Sequence, residues 1–438
     1  MSSISRRRFL LTIGSSTLTT AMLPSCRSGS SDPSTMPPVQ PGVNGLETTQ
    51  VSLGFLPVVD CAPLVIAQEK GFFAGQGMTA VKILKQASWA ALRDNVEIGS
   101  GGGGIDGGHF QSPIPELLSV GIGTKGNKKV PMYILARLNT HGVGISLAKK
   151  YQSLGVTKDA SPLKSVFAQA KAQNKLIKCA ITFPRSSIDL WLHYWLAAAG
   201  LDPTTEAEIV VIPPSQVVTS MQTGSMDIFC ATDPWNARLV NQGIGFTAVT
   251  TGELWKNHPE KAFALRGDWV DKHPKATIAL LKAILQAQRW CDQPANQEEL
   301  ITILAKQTYI NAPAPNLRDR LKGIFNYGDG RMVTDQTLAM KCWSNGSVNI
   351  SYPYQSHTAW FLTENIRWGK IPADTDVQSI AKATNREDLW QEAAKAIGLP
   401  ATEIPKDTSR GVETFFDGIT FDPANPRAYL QSLKIKKV

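Results

Sequence analysis

At 438 residues, 42% hydrophobic and 18% charged, the chain can bury a large core in one or two domains without disulfide staples. Its net charge of +9 comes without an arginine-rich tract or a basic stripe interleaved with aromatics, which argues against nucleic acid as a partner. Three of those charges, Arg6, Arg7 and Arg8, fall within Ser5-Arg6-Arg7-Arg8-Phe9-Leu10, the pattern of a twin-arginine export signal with Arg6 and Arg7 as its pair. An apolar run follows over residues 10–23, shorter than the ~20 residues a permanent membrane helix needs. It ends at Leu23-Pro24-Ser25-Cys26, a lipobox-like site with Cys26 as the residue to be lipidated. Residues 1–26 therefore read as a lipoprotein signal peptide. Residues 27–47, rich in Ser, Pro and Gly, read as a flexible spacer. The expected location is the periplasmic face of the cytoplasmic (inner) membrane, with the body tethered by lipid.

Folded pattern begins near Thr48. Alternation predicts a strand over 50–56, and an amphipathic helix follows over 62–73, closed by Gly71 and Gly75. A second strand is expected over 80–85, then a helix from Ser88 to about Ile98. Ile105-Asp106-Gly107-Gly108 reads as the end of a short strand at a glycine turn, and 131–138 as another strand. The same rhythm returns with strands over 176–183, 208–212, 226–231 and 246–250. Between them come helices over 190–199, 215–223 and 234–242. A strand over 262–270 precedes a mostly helical remainder from Pro274. Strand–helix alternation of this kind predicts parallel sheets covered by helices. Two such sections predict an α/β clamshell with a ligand cleft at the carboxyl ends of the strands.

Isolated motifs specify little chemistry. Gly101–Gly104 lacks the Lys-Ser/Thr of a phosphate loop, so these glycines, Gly103 among them, read as places where backbone approaches the solute or the other lobe. Ser186-x-x-Asp189 is a capping-box pattern whose helix start also offers free N–H groups. Asp233-Pro234-Trp235 reads as a helix start with Asp233 as its cap. The six histidines make no ligand spacing, and no metal or cofactor is expected. Cys61, Cys179, Cys230, Cys291 and Cys342 read as buried free thiols, with one disulfide left open in an oxidising compartment.

Several stretches taken together resemble the solute-binding lipoproteins of the cyanobacterial nitrate and bicarbonate ABC importers. They include Lys85-Gln86-Ala87-Ser88-Trp89, residues 102–107, 131–139, 240–245 and 250–255, Tyr352-Pro353-Tyr354, and residues 363–369, 385–390 and 411–418. The resemblance runs from about Thr48 to the C-terminus. It implies a type II periplasmic-binding-protein fold: lobe 1 from 48–145 plus about 260–438, and lobe 2 from 146–259, closing on one small solute. It also implies permease and ATPase subunits as partners. Trp89 stands where that family places a tryptophan against the ligand, and Lys261 where its nitrate binders place a countercharge.

Two positions depart from the family pattern. Val143, in His141-Gly142-Val143-Gly144, replaces an amide donor, and Ile188, in the run from Phe183 to Trp191, replaces a ligand histidine. A site built to hydrogen-bond its solute loses ~1–3 kcal/mol for each buried partner left unpaired. The expected solute is thus a small planar anion: nitrate, nitrite, bicarbonate or a cyanate-like ion. In that reading Trp89 forms a wall, Lys261 supplies countercharge, Ser187 donates, and Val143 and Ile188 narrow the pocket. A planar cation such as guanidinium is the alternative, suited by the carboxylates Asp60, Asp189 and Asp233 beside Trp89 and Trp191. The fold is also that of thiamine-precursor synthases, but no histidine lies at a matching glycine-rich site, and no catalysis is expected.

Overall fold

The computed structural model describes residues 45–438, within one compact unit. The signal, Cys26 and nearly all of the spacer lie outside the described residues. Ten principal strands form two five-stranded sheets. The first contains β1 (Gln50–Phe55), β2 (Ala80–Lys85), β3 (Gly107–Gln111), β4 (Met132–Arg137) and β10 (Lys261–Arg266), in the order β2-β1-β3-β10-β4. The second contains β5 (Val143–Ala148), β6 (Ile177–Ile181), β7 (Ala207–Val211), β8 (Ile228–Thr232) and β9 (Gly245–Thr250), in the order β7-β6-β8-β5-β9. The fold is a two-lobe α/β clamshell.

Both sheets are mixed, where the alternation predicted parallel ones. Within the first, β1 runs parallel to β2 and β3, while β10 is antiparallel to β3 and β4. Within the second, β6 runs parallel to β7 and β8, while β5 is antiparallel to β8 and β9. The antiparallel strand in each sheet is the one by which the chain returns from the other, so a crossover helix is absent at just those places. β5 had no counterpart among the expected strands: five of its six residues are buried, and a short buried run lacks the alternation that marks a strand. Gly107 and Gly108 open β3 instead of ending a strand, and the strand expected over 262–270 gives way to the helix Gly267–Lys272.

The chain crosses between the sheets twice, and the crossings lie side by side. Leu138 N–H donates to Lys261 O (2.7 Å), Glu260 N–H to Asn139 O (3.1 Å) and Thr140 Oγ1 to His258 O (2.7 Å). The helix Ser187–Ala198 is apolar nearly all round and correspondingly buried, with Trp191, Tyr194 and Trp195 inside. Each such side chain contributes on the order of 2–3 kcal/mol by leaving water. Against the first sheet, the helix Ala62–Glu69 packs on the long helix Pro274–Cys291. Among the described residues no helix is long and apolar enough to cross a membrane.

Candidate functional site

The ends of strands from both sheets converge in one place, which is what the direction of β1, β2, β3, β6 and β8 dictates. The backbone is stitched there: Val59 N–H donates to Asp233 O (3.0 Å), and Ser187 N–H to Ser112 O (2.6 Å). Gln111 Nε2 donates to Thr182 Oγ1 (2.8 Å) across the same gap.

Lys261 occupies the centre. It is the first residue of β10, paired in register with Gln111, and is fully buried. Three oxygens surround its Nζ: Asp60 Oδ2 at 2.7 Å, Glu260 Oε1 at 2.8 Å and Thr232 Oγ1 at 3.3 Å. Asp60 also meets His109 Nε2 at 2.7 Å. Glu260 accepts from Ser187 Oγ (2.5 Å) through one oxygen and from Trp191 Nε1 (3.1 Å) through the other.

The electrostatics follow from burial. Burial pushes the Asp60 carboxyl up, but Lys261 and His109 outweigh it and hold the group below its ordinary range. Burial lowers His109, against the opposing pull of Asp60, which keeps the ring neutral near pH 7. Burial would also lower Lys261, and the two carboxylates instead raise it. Two acidic side chains thus face one ammonium. Lys261 lies where the strand ends converge, with Asp60 and Glu260 both on its Nζ.

Trp89 opens the helix Trp89–Ile98, whose cap is Ser88 Oγ accepting from Ala91 N–H (3.1 Å). Its ring lies 5.8 Å from Lys261 Nζ and 5.2 Å from the His109 ring. The buried Trp89 Nε1, Gln111 Oε1 and Asp233 Oδ1 have no hydrogen-bond partner among the described residues. Such groups cost ~1–3 kcal/mol each when left unmade. Asp233 lies 3.6 Å from Arg320 Nη1, and burial raises its pKa despite that arginine. With Val143 and Arg320 it lines a small crevice beside the centre.

The remaining expected residues divide. Ser187 touches the centre through Glu260. Ile188 is fully buried in the hydrophobic core. Asp189 turns elsewhere: it pairs with Lys370 and His193 and accepts from Arg185 N–H (2.7 Å), so the capping box expected with Ser186 is not formed. The helix expected to be capped by Asp233 starts at Trp235, with Pro234 in the cap position. Gly103 does not join the cleft. It is exposed, with φ +88°, in the loop before β3, at the sheet edge opposite the strand ends that carry the site. The positive φ explains its glycine.

Sequence reasoning passed over Glu260, Gln111 and His109. Glu260-Lys261 did carry a signal, because two charges open a strand whose next four residues, Ala262 to Leu265, are apolar. Charges so placed have no solvent to face and must find each other.

Residues 44–305 match the NMT1-like family. The nitrate/nitrite-binding protein NrtA of Synechococcus elongatus is 52% identical, with each chain covered completely. The bicarbonate-binding protein CmpA of the same organism is 44% identical over 99% of this chain and 98% of that one. The nitrate import ATP-binding protein NrtC of Synechocystis is 32% identical over 90% of this chain and 57% of its own length. Among solved structures, the periplasmic nitrate-binding protein NrtA of Synechocystis superposes with a TM-score of 0.86 at 52% identity, over 90% of this chain and 100% of that chain.

Proposed function

The chain belongs to the NMT1-like family, among the nitrate/nitrite- and bicarbonate-binding proteins, and we propose that it captures a small planar solute for an ABC importer. It is a binding protein, not an enzyme. Its partners would be a permease and ATP-binding subunits of the kind the NrtC relative represents. Export through Arg6 and Arg7, anchoring at Cys26, and two lobes built on the two sheets that close over the solute complete this reading.

The geometry favours a planar cation of the guanidinium class. The observation that carries this is the pairing of Lys261 with both Asp60 and Glu260, two acidic side chains to one ammonium. Guanidinium offers only donors. Gln111 Oε1 and Asp233 Oδ1 are acceptors without partners, and Trp89 supplies a face for the planar ion. Nitrate offers only acceptors, and Val143 and Ile188 give it none of the donors the family pattern places there. The anion reading keeps two observations in its favour: Lys261 Nζ stays inside the cleft beside Trp89, and Trp89 Nε1 is a buried donor without a partner among the described residues.

Thermal-shift and calorimetric titration of the mature protein with guanidinium, urea, nitrate, nitrite, cyanate and bicarbonate tests this. Millimolar solute over a micromolar site stabilises by ~4 kcal/mol. The expected result is a shift with low-millimolar guanidinium and none with the anions. A nitrate or nitrite response with guanidinium silent would return Lys261 to the role of countercharge.

A further inference from the structure

We propose that Cys291 and Cys342 form a disulfide once the protein is exported, fastening the end of the helix Pro274–Cys291 to the segment that precedes the hairpin at Ser344–Asn345. The proposal rests on the export reading for its oxidising compartment and on the structure for the choice of pair. Among the described residues five cysteines are buried and unbridged. Two of them, Cys291 and Cys342, line one crevice.

The backbone holds them together. Gln288, one turn before Cys291 on the same helix face, donates from Nε2 to Cys342 O (2.7 Å). Asp292, the residue after Cys291, accepts from Cys342 N–H (2.8 Å) and Trp343 N–H (2.7 Å) through its two oxygens. Both polar groups of the Cys342 backbone are thus gripped by neighbours of Cys291. The fold itself holds the Cys342 backbone against the end of the helix that carries Cys291. Cys179 and Cys230 lie on the neighbouring strands β6 and β8, and among the described residues no side-chain hydrogen bond ties the backbone of Cys61, Cys179 or Cys230 to a neighbour of a second cysteine as Gln288 and Asp292 tie Cys342.

The chemistry is thiol–disulfide exchange with a disulfide oxidant, a protein or small-molecule disulfide of the export compartment. One cysteine thiolate attacks the oxidant's S–S bond and releases a thiolate. The second then attacks the mixed disulfide and releases the other. Two S–H bonds are lost, one S–S bond forms, and the electron pair reduces the oxidant to two thiols. Buried thiols exchange slowly, so the bond forms after export, when the crevice opens.

Peptide mapping decides it. The full chain, recovered from cells and alkylated without reduction, is digested with trypsin and examined by mass spectrometry. The expected result is peptide 290–306 joined to peptide 342–367, absent after reduction and absent in C342S. A second arm exposes folded, reduced protein to oxidised glutathione, where the same linked peptide is expected whatever compartment the cell uses. Finding both cysteines alkylated in both arms, or glutathionylated without linkage, overturns the pair. Linkage only in the glutathione arm, with the chain fractionating in the cytoplasm, overturns the export reading and leaves the pair standing.

Discussion

Lys261 Nζ sits 2.7 Å from Asp60 Oδ2, and neither side chain has any exposure to solvent. A buried pair of this kind adds little net stability over an apolar replacement, but removing one partner strands the other charge. Lys261→Met should therefore destabilise by ~3–5 kcal/mol, because it leaves both Asp60 and Glu260 without their cation. Adding Asp60→Asn should recover part of the loss. Urea midpoints of the single and double variants measure this, and an unchanged midpoint in the single variant would mean the site is wetter than described.

Much of the architecture was legible because it is written in pattern. The strand–helix rhythm gave two α/β sections, and the family stretches gave the clamshell. What stayed hidden was direction and charge pairing. β10 and β5 run against their neighbours because the chain re-enters each sheet from the other, and no local residue preference encodes that. Lys261 was found by resemblance, yet its partner Asp60 lies two hundred positions away, and pairing at that range is invisible in one sequence. Gly103 misled because a glycine run near a cleft and a glycine run at the far edge of the same sheet look alike.

Glu260→Gln keeps the size of the side chain and removes its charge. Hydrogen bonds to charged groups contribute ~1.5–3 kcal/mol, so guanidinium affinity should fall ~10- to 100-fold. Calorimetry on the folded variant reads the change. Retained affinity would place the cation away from Glu260.

Nitrate should bind better when the donors of the family pattern return. Val143→Gln with Ile188→His supplies two, each worth ~1–3 kcal/mol when its partner would otherwise go unpaired. Titration of the double variant with nitrate is expected to show a gain over the unmodified protein. No gain would mean that the charge of the centre, and not the missing donors, keeps nitrate out.

Stability should decline as pH falls below about 6.5. Burial depresses His109, His141, His258 and His357, with His258 brought down to about 3. Each is neutral in the fold and takes a proton more readily when unfolded. Each therefore withdraws ~1.4 kcal/mol per pH unit between its unfolded and folded values. Asp60, held low by Lys261 and His109, and Asp189, held low by His193 and Lys370, add a second loss below about 3.8. Asp233, raised by burial, opposes the trend by taking its proton earlier in the fold. Urea midpoints from pH 8 to pH 4 should slope downward, and a flat profile between pH 7 and pH 5 would contradict neutral buried imidazoles.

Cys26→Ala should move the protein from the membrane fraction to the soluble fraction of the export compartment, as seen by fractionation and immunoblotting. Retention in the membrane fraction would rule out the lipid as the tether.

The paired crossings between the sheets set a mechanical rule. A ribbon of two strands joined by hydrogen bonds bends readily out of its own plane and stiffly within it. That soft direction is not the whole joint, because the chain after β10 also grips the second half: Thr247 N–H donates to Tyr327 O, and Trp360 stacks on Trp191.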